Sequence, residues 1–295
     1  MPTVDGDRVY TIGSNGDLAS LDRETGKLIW HINFAESFKS GEPRWAWAES
    51  PLIDGEKLIC SPGGAEAAIL AVNKTTGKVI WKAKLPLNDL AGYGSPVKAT
   101  ISGVEQYVVY MAKGVVGVDA ETGEFLWQYT ATAEGSPANI LTPVVDNDRV
   151  FTGSNRGGSG LVHVQLDKDP IVTEVYRKKK LPMHVGGAVL IDGYLYGTTR
   201  AGLVCAEFST GEIAWSDRSV GAGTVGLVDG LLYLVGDKGD ITLVDPTPEA
   251  YKEISRFRPD GRLEGSVSWT YPVVANGRMY IRNLDRMWCF DLSVK

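Results

Sequence analysis

The sequence predicts an all-β fold, a β-propeller of about seven four-stranded blades. Two short phrases recur along the chain, glycine-containing turn pairs punctuate them, and the runs between the turns are rich in Val, Ile, Leu and Tyr. Apolar runs bounded by turn signals are typical of strands. Four such strands repeated every ~45 residues are typical of propeller blades. We therefore expect residues 1–295 to form a single propeller domain.

The first recurring phrase joins a turn pair to a following apolar run. It begins as Val4-Asp5-Gly6-Asp7-Arg8-Val9-Tyr10 and occurs seven times, with its turns centred on residues 6, 55, 103, 147, 193, 230 and 277. Asp-Gly and Asn-Gly pairs favour tight hairpins, because glycine adopts positive φ without a steric penalty. Each copy therefore predicts the hairpin between the first two strands of a blade.

The second phrase, Asp-x-x-Thr-Gly-Lys/Glu-x-x-Trp, follows within the same repeats. Its tryptophans are Trp30, Trp81, Trp127 and Trp215, and Tyr176 and Phe257 take the aromatic position in the fourth and sixth repeats. The Asp is expected to accept backbone hydrogen bonds inside the turn. Each Trp is expected to lie flat between neighbouring blades and to bury ~150–250 Å². Replacing one with Ala should cost ~3–5 kcal/mol.

The two phrases together resemble the PQQ-like (quinoprotein-like) β-propeller repeat. That family includes PQQ-dependent dehydrogenases and BamB-like outer-membrane assembly lipoproteins, and the resemblance covers the whole chain, most clearly in repeats 1, 2, 3 and 5. It implies eight blades in a full-length relative. Because the seventh repeat stops after its third strand, we expect an N-terminal truncation. The resemblance to exported bacterial members implies a periplasmic or otherwise exported protein.

Composition excludes several function classes. The chain has 30 Lys and Arg against 36 Asp and Glu, a net charge of −6, which disfavours nucleic acid as a partner. The one basic run, Arg177 to Lys180, is interpreted as a solvated loop. No apolar run of the length that spans a membrane is present, and the first residues contain no signal peptide.

Cofactor chemistry can be checked against the residues that the resemblance implies. A PQQ-dependent dehydrogenase would need a vicinal cysteine pair, a Ca²⁺ site and a catalytic Asp. Cys60, Cys205 and Cys289 lie far apart, in different repeats. The histidines His31, His163 and His184 have no metal-ligand spacing. We therefore predict no metal site and no cofactor, with PQQ plus calcium as the disfavoured alternative.

A candidate ligand site arises from the residues just before the first strand of each blade. In a propeller these residues reach the mouth of the central funnel. Aromatic groups with a few polar groups suit a small-molecule or sugar site. The candidates are Trp45, Trp47, Glu49, Tyr93, Asn139, His184, Trp269 and Tyr271. The alternative interpretation is that the tryptophans plug the channel and cover the core.

The sequence favours a non-catalytic binding or assembly scaffold in the bacterial cell envelope. A protein, peptide or glycan partner would bind a loop face. The alternative is an enzyme that uses the funnel, either a PQQ-dependent dehydrogenase or a saccharide-active enzyme. We predict no catalytic residues; in the enzyme alternative, Glu49 and His184 would form the acid/base pair.

Overall fold

A computed structural model describes residues 1–136, 138–183, 187–261 and 269–292 of the chain. The described residues form two compact units. One contains residues Met1–Gly157 and Val162–Val175, and the other contains Gly158–Leu161 and the described residues from Tyr176 onward. Whether residues 1–295 act as a single domain stays a prediction. Within the described ranges, none of the helices has the length and apolar character needed to cross a bilayer.

The first four sheets each have four antiparallel strands, and neighbours in sequence are neighbours in the sheet. Sheet 1 contains β1 (Thr3–Asp5), β2 (Arg8–Ile12), β3 (Asp17–Asp22) and β4 (Leu28–Asn33). Sheet 2 contains β5 (Leu52–Asp54), β6 (Lys57–Cys60), β7 (Ile69–Asn73) and β8 (Val79–Ala83). Sheet 3 contains β9 (Val97–Ile101), β10 (Val104–Met111), β11 (Gly114–Asp119) and β12 (Phe125–Tyr129). Sheet 4 contains β13 (Val144–Asp146), β14 (Arg149–Ser154), β15 (Gly158–Leu166) and β16 (Pro170–Lys178).

The remaining three sheets continue the same order. Sheet 5 contains β17 (Ala188–Ile191), β18 (Tyr194–Thr198), β19 (Leu203–Glu207) and β20 (Ile213–Asp217). Sheet 6 contains β21 (Gly223–Val228), β22 (Leu231–Gly236), β23 (Ile241–Asp245) and β24 (Lys252–Phe257). Sheet 7 has three strands among the described residues, β25 (Val273–Ala275), β26 (Arg278–Asn283) and β27 (Arg286–Asp291). Seven consecutive four-stranded meanders, the last described over three strands, confirm the predicted β-propeller fold.

Two short helices interrupt the strand order. Helix α1 (Phe34–Phe38) follows β4, with Asn33 as its N-cap, and a 3-10 helix (Ala131–Ala133) follows β12. Residues 248–250 form a bend rather than a helix. Strand β24 begins instead at Lys252 and pairs with β23 as far as Ile241↔Phe257. Pairing with a neighbouring strand therefore prevails over the local helical preference of that segment.

A β-bulge recurs in the outermost strand, just before the aromatic position. The pairing of β7 with β8 shifts register between Ala71 and Val72, so that Ala71 faces Trp81 and Val72 faces Val79. The same shift occurs between the third and fourth strands of sheets 1, 3, 5 and 6. In sheet 6 the residue directly after the bulge is Ser255, so the placement of Phe257 at the aromatic position was wrong. An extra residue in one strand bends it and blunts a sheet edge that would otherwise offer a straight pairing surface.

The aromatic residue that follows the bulge packs on the glycine of the next repeat. Trp30 lies against Gly77, where an added Cβ would stand 2.9 Å from Trp30 Cδ2. Trp30 Nε1 also donates to the carbonyl of Lys74 at 3.0 Å. In the second unit, Tyr176 lies against Gly211 in the same way. The predicted seam between neighbouring blades is thus confirmed at these positions.

The Asp of the second phrase plays its expected part in the turn. Oδ1 of Asp119 accepts hydrogen bonds from the Glu121 and Thr122 N–H groups at 2.9 and 2.8 Å, and from Thr122 Oγ1 at 2.9 Å. Asp22 accepts two hydrogen bonds from Thr25 with the same spacing. These bonds fix the turn that presents the glycine to the aromatic ring of the preceding sheet.

Candidate functional site

The candidate site of the first unit is built on three lead-in segments, the stretches that precede β5, β9 and β13. They comprise residues 39–51, 84–96 and 130–143, of which 137 lies outside the described residues. Hydrogen bonds join them at intervals of about one repeat. Ser50 N donates to Ser95 Oγ at 3.0 Å, and Ser95 N donates to Thr142 Oγ1 at 3.2 Å. The first unit therefore brings the lead-in segments of sheets 2, 3 and 4 side by side.

A second row of hydrogen bonds connects the candidate residues themselves. Trp45 N donates to the hydroxyl of Tyr93 at 3.1 Å, and Tyr93 N donates to the carbonyl of Asn139 at 2.8 Å. Tyr93 stands between Gly92 and Gly94, and at Gly94 an added Cβ would lie 2.9 Å from the Leu141 carbonyl oxygen. Only a residue without Cβ permits so close an approach of the two backbones. Trp45, Tyr93 and Asn139 are thus linked by hydrogen bonds from the backbone N–H groups of Trp45 and Tyr93.

Trp45 is displayed on a tight turn. Ala46 N donates to Pro43 O at 2.8 Å, which places Arg44 and Trp45 at the tip. The indole of Trp45 is 54% exposed, its ring centroid lies 6.0 Å from that of Tyr93, and the Arg44 guanidinium carbon lies 4.9 Å from the indole centroid. We call Arg44, Trp45 and Tyr93 the aromatic tip. None of the ion pairs between residues that the structure describes includes Arg44.

Trp47 points the opposite way and belongs to the core. It is 4% exposed, its Nε1 donates to Pro62 O at 3.0 Å, and its ring lies 6.0 Å from Phe34. The residue between the two tryptophans, Ala46, has a left-handed φ of 63°. Such a backbone is strained for a residue with a Cβ. It turns Trp45 outward while Trp47 is buried, which fits the interpretation of Trp47 as a core cover.

Glu49 is buried beneath the lead-in segment rather than exposed at its surface. Its side chain is enclosed by protein, and its Oε1 accepts a hydrogen bond from Ser61 N at 2.5 Å. Burial raises the pKa of Glu49 to about 7, although the hydrogen bonds from Ser61 oppose the shift. Burial also raises the pKa of the neighbouring Cys60 thiol, and the charge of Glu49 adds to that effect.

Asn139 holds the backbone of a neighbouring turn. Its Nδ2 donates to the carbonyls of Met111 and Ala112 at 2.8 and 2.9 Å, and the residue is 1% exposed.

Asp89 is a second buried carboxylate, after Glu49, and it also holds the backbone of this turn. Both of its oxygens accept from Lys113 N at 2.9 Å, and burial raises the pKa of Asp89 to about 6. The residues before Asp89, Leu87 and Asn88, form no pattern that indicates burial of the Asp89 side chain.

The second unit contains the other described candidates. Trp269 is 55% exposed, and Tyr271 is half-buried with its hydroxyl against Gly187. Burial raises the pKa of Tyr271 to about 12. His184 lies outside the described residues. Its proposed partnership with Glu49 therefore stays a prediction.

Metal-binding and cysteine chemistry can be assessed from the described side chains. Across residues 1–136, 138–183, 187–261 and 269–292, no group of three or more His, Cys, Asp or Glu side chains could hold a metal ion. Cys60, Cys205 and Cys289 lie in β6, β19 and β27, and each is a free thiol. His31 Nε2 is hydrogen-bonded to Asp17 Oδ1 at 2.8 Å on the surface. These donor sets do not fit the cysteine pair and calcium site that a PQQ dehydrogenase would need.

Comparison with known proteins places these features in a family context. The PQQ-like family described as "Outer membrane protein assembly factor BamB" matches residues 1–217. BamB from Burkholderia pseudomallei is 24% identical over 72% of this chain and 54% of its own length. A quinoprotein ethanol dehydrogenase from Pseudomonas putida is 25% identical over 70% of this chain and 38% of its own length.

A solved structure shows the same fold. The crystal structure of BamB from Moraxella catarrhalis superposes with a TM-score of 0.67, covering 96% of this chain and 79% of that chain at 18% sequence identity. The chain spans 54% and 61% of the lengths of the BamB proteins from Burkholderia pseudomallei and Yersinia pestis. Similarity at this level establishes the fold, whereas the role of each site residue depends on its own surroundings.

Proposed function

Because the chain belongs to the PQQ-like propeller family of the outer membrane protein assembly factor BamB, we propose that it is a non-catalytic scaffold that binds a protein partner in the bacterial cell envelope. The BamB relatives are named as outer-membrane assembly factors, which supports an exported location and a role in assembling other proteins. The proposed scaffold needs neither PQQ nor calcium. Peptide segments of the partner, rather than glycans, are its proposed ligands.

The observation that carries this proposal is the aromatic tip. Trp, Tyr and Arg are the residue types that contribute most binding free energy in protein interfaces. Here the three lie together, and the tip is anchored by the Ala46–Pro43 hydrogen bond and by the Trp45–Tyr93 hydrogen bond. A surface that is already ordered loses little conformational entropy when a partner binds. The tip is therefore suited to be the centre of an interface.

The charge of the tip favours one kind of partner. Arg44 rests on the indole of Trp45 and pairs with no carboxylate among the described side chains. A partner surface that offers a carboxylate beside an apolar group would satisfy both residues at once. A neutral glycan would stack on Trp45 but would leave Arg44 without a counter-ion. The positive charge of Arg44 therefore favours a protein partner over a sugar.

The enzyme alternative finds less support in these residues. Quinoprotein dehydrogenases are among the relatives, but the three cysteines of this chain lie in separate sheets. Glu49, the candidate acid/base, is 4% exposed and accepts a hydrogen bond from Ser61 N. A general base must reach the proton that it removes. Glu49 would need a rearrangement of its lead-in segment to do so.

In-cell photo-crosslinking tests the proposal. A photoreactive amino acid replaces the exposed Glu42, beside the tip, so that Trp45 is left intact. We expect a discrete crosslinked product with an envelope protein, reduced at least about tenfold by Trp45→Ala, a change of about 1.4 kcal/mol. The matched control is Leu28→Ala, which removes an equally exposed apolar side chain from β4. A product that survives Trp45→Ala, or no product at equal protein level, would overturn the proposal.

A further inference from the structure

A second candidate binding feature lies in the other unit, where β16 ends and the stretch before β17 begins. It is a groove of about 610 Å³ between the end of β16 and the start of β20. Its lining consists of residues 178–181 and 211–213. The sequence interpretation treated Arg177 to Lys180 as a solvated loop, but Lys178 still belongs to β16. Lys179 and Lys180 follow the strand directly and form one rim of the groove.

The walls of this groove are fixed by contacts that do not use Lys179 or Lys180. Lys178 Nζ donates to the carbonyls of Thr210 and Gly211 at 2.9 and 3.0 Å. The Tyr176 ring lies against Gly211, and the Tyr176 hydroxyl donates to Phe208 O at 2.9 Å. Strand β16 is thus fastened to the turn between β19 and β20 at the base of the groove. A ligand would meet a preformed shape.

The two remaining lysines keep their charge free for a ligand. Lys179 and Lys180 are exposed, and none of the ion pairs or hydrogen bonds described between residues 176 and 261 involves their ammonium groups. Glu212 is the one acidic residue in the lining, so cations outnumber anions there. The chain as a whole has a net charge of −6, which makes this local positive charge a departure from the rest of the surface.

The same groove has an apolar side. Leu181 is fully buried at its floor, and Ile213 is 41% exposed at its rim. A cationic rim beside an aliphatic wall suits a ligand that carries both carboxylates and an aliphatic side chain. Nucleic acid offers no aliphatic side chain as large as that of leucine, and the acidic chain as a whole repels it. An acidic peptide with a leucine-like residue supplies both.

From this arrangement we propose that the groove binds an acidic peptide segment of a partner protein. The carboxylates of the segment lie against Lys179 and Lys180, and one aliphatic side chain packs on the exposed face of Ile213, above the buried Leu181. This proposal does not depend on the aromatic tip, because the groove lies in the other unit. Exposed charge pairs are screened by salt, so the affinity should fall as ionic strength rises.

The test uses a fluorescein-labelled eight-residue peptide of glutamates with one central leucine, measured by fluorescence anisotropy at low salt. We expect saturable binding that weakens at least about tenfold in the Lys179→Glu/Lys180→Glu variant. The matched control is Lys82→Glu/Lys84→Glu, a pair of exposed lysines on and after β8 with the same change in net charge. Equal loss in both variants, or no saturable binding to the unaltered chain, would overturn the proposal.

A second peptide, with glycine in place of leucine, tests the apolar wall. We expect it to bind several-fold more weakly than the leucine peptide, and we expect Ile213→Ser to abolish that difference. If Ile213→Ser leaves the difference intact, the peptide does not use this wall. If an RNA oligonucleotide of the same length displaces the leucine peptide at a lower concentration than the unlabelled peptide does, the groove is a polyanion site and the peptide proposal fails.

Discussion

The indole of Trp81 lies directly on the α-carbon of Gly123, one repeat further along the chain. A Cβ added at Gly123 would stand 2.6 Å from Trp81 Cδ2, closer than real Cβ contacts come. Trp81 follows the bulge in β8, and Gly123 ends the turn held by Asp119. The tryptophan of one copy of the second phrase and the glycine of the next copy are therefore the two halves of one contact, which is made between consecutive sheets.

Comparing Gly123→Ala with Gly103→Ala should separate the free-energy cost of the steric overlap with Trp81 from the cost of placing a Cβ at positive φ. Gly103 has the same φ of +75° as Gly123, but an added Cβ there would meet nothing within 4 Å. We expect Gly103→Ala to cost about 1–2 kcal/mol through left-handed strain alone. Gly123→Ala should cost about 1–3 kcal/mol more, because the methyl group overpacks the seam. Urea denaturation of the two variants gives the difference, and equal costs would contradict the account.

Tryptophan truncation should divide the tryptophans into two groups. Trp127 is 2% exposed, and its Nε1 donates to Gln106 Oε1 at 2.5 Å, whereas Trp45 is 54% exposed. Trp127→Ala should cost about 3–5 kcal/mol, since it opens a cavity and leaves Gln106 without its partner. Trp45→Ala should change stability by no more than about 0.5 kcal/mol. A large loss in Trp45→Ala would mean that the tip is structural rather than a binding surface.

Glu49→Gln should change the pH dependence of stability. The pKa of Glu49 is raised by burial from 4.5 to about 7, so between these values the native state holds a proton that the unfolded state has released. Stability therefore falls as the pH rises through that range, by up to about 3 kcal/mol. The glutamine variant keeps an acceptor for Ser61 N but does not titrate. It should equal the unaltered chain near pH 4 and exceed it near pH 8.

Chemical denaturation at pH 4, 6 and 8 measures this effect. Asp89 also titrates above its ordinary range, but it is present in both proteins, so it cancels in the difference between them. The titratable groups whose pKa values respond to the charge of Glu49 are the Cys60 thiol and the amino group of Met1. A difference that stays constant between pH 4 and pH 8 would show that folding leaves the pKa of Glu49 at its ordinary value, and the buried-carboxyl interpretation would fail.

The sequence predicted the sheets well because the repeat encodes them locally. Turn pairs such as Asp54-Gly55 are read from neighbouring residues, and they mark hairpins wherever they occur. The packing of Trp30 on Gly77 was predictable for the same reason, since both residues recur at a fixed position in each repeat. Where the next repeat keeps the glycine, the same contact recurs, as it does for Trp81 on Gly123.

The candidate site was harder to predict because its residues do not repeat. Trp45 and Trp47 are two positions apart, and their opposite directions depend on the left-handed backbone at Ala46. No pattern in the sequence indicates that conformation, which Ala seldom adopts. Likewise, Glu49 could be recognised as a lead-in residue, but its burial follows from the packing around Ser61. Arg44 was overlooked because its importance comes from resting on Trp45.

For the groove at Lys179 and Lys180 the residues are evident in the sequence, but their role is not. A run of basic residues is visible in the sequence, but a solvated loop and a binding rim have the same composition. What distinguishes them is the clamp between Lys178 and the Thr210–Gly211 carbonyls, which joins residues more than 30 positions apart. Such a contact can be found only when the strands have been placed side by side.

The central claim is that this quinoprotein-like propeller binds a partner and does not turn over a quinone. Calorimetric titration with PQQ and Ca²⁺, followed by a dye-linked alcohol oxidation assay, tests that claim most directly. A quinoprotein ethanol dehydrogenase freed of its cofactor serves as the positive control under the same conditions. We predict no saturable heat and no turnover for this chain while the control responds. Saturable binding with turnover would contradict the scaffold account and would make the lead-in segments a cofactor site.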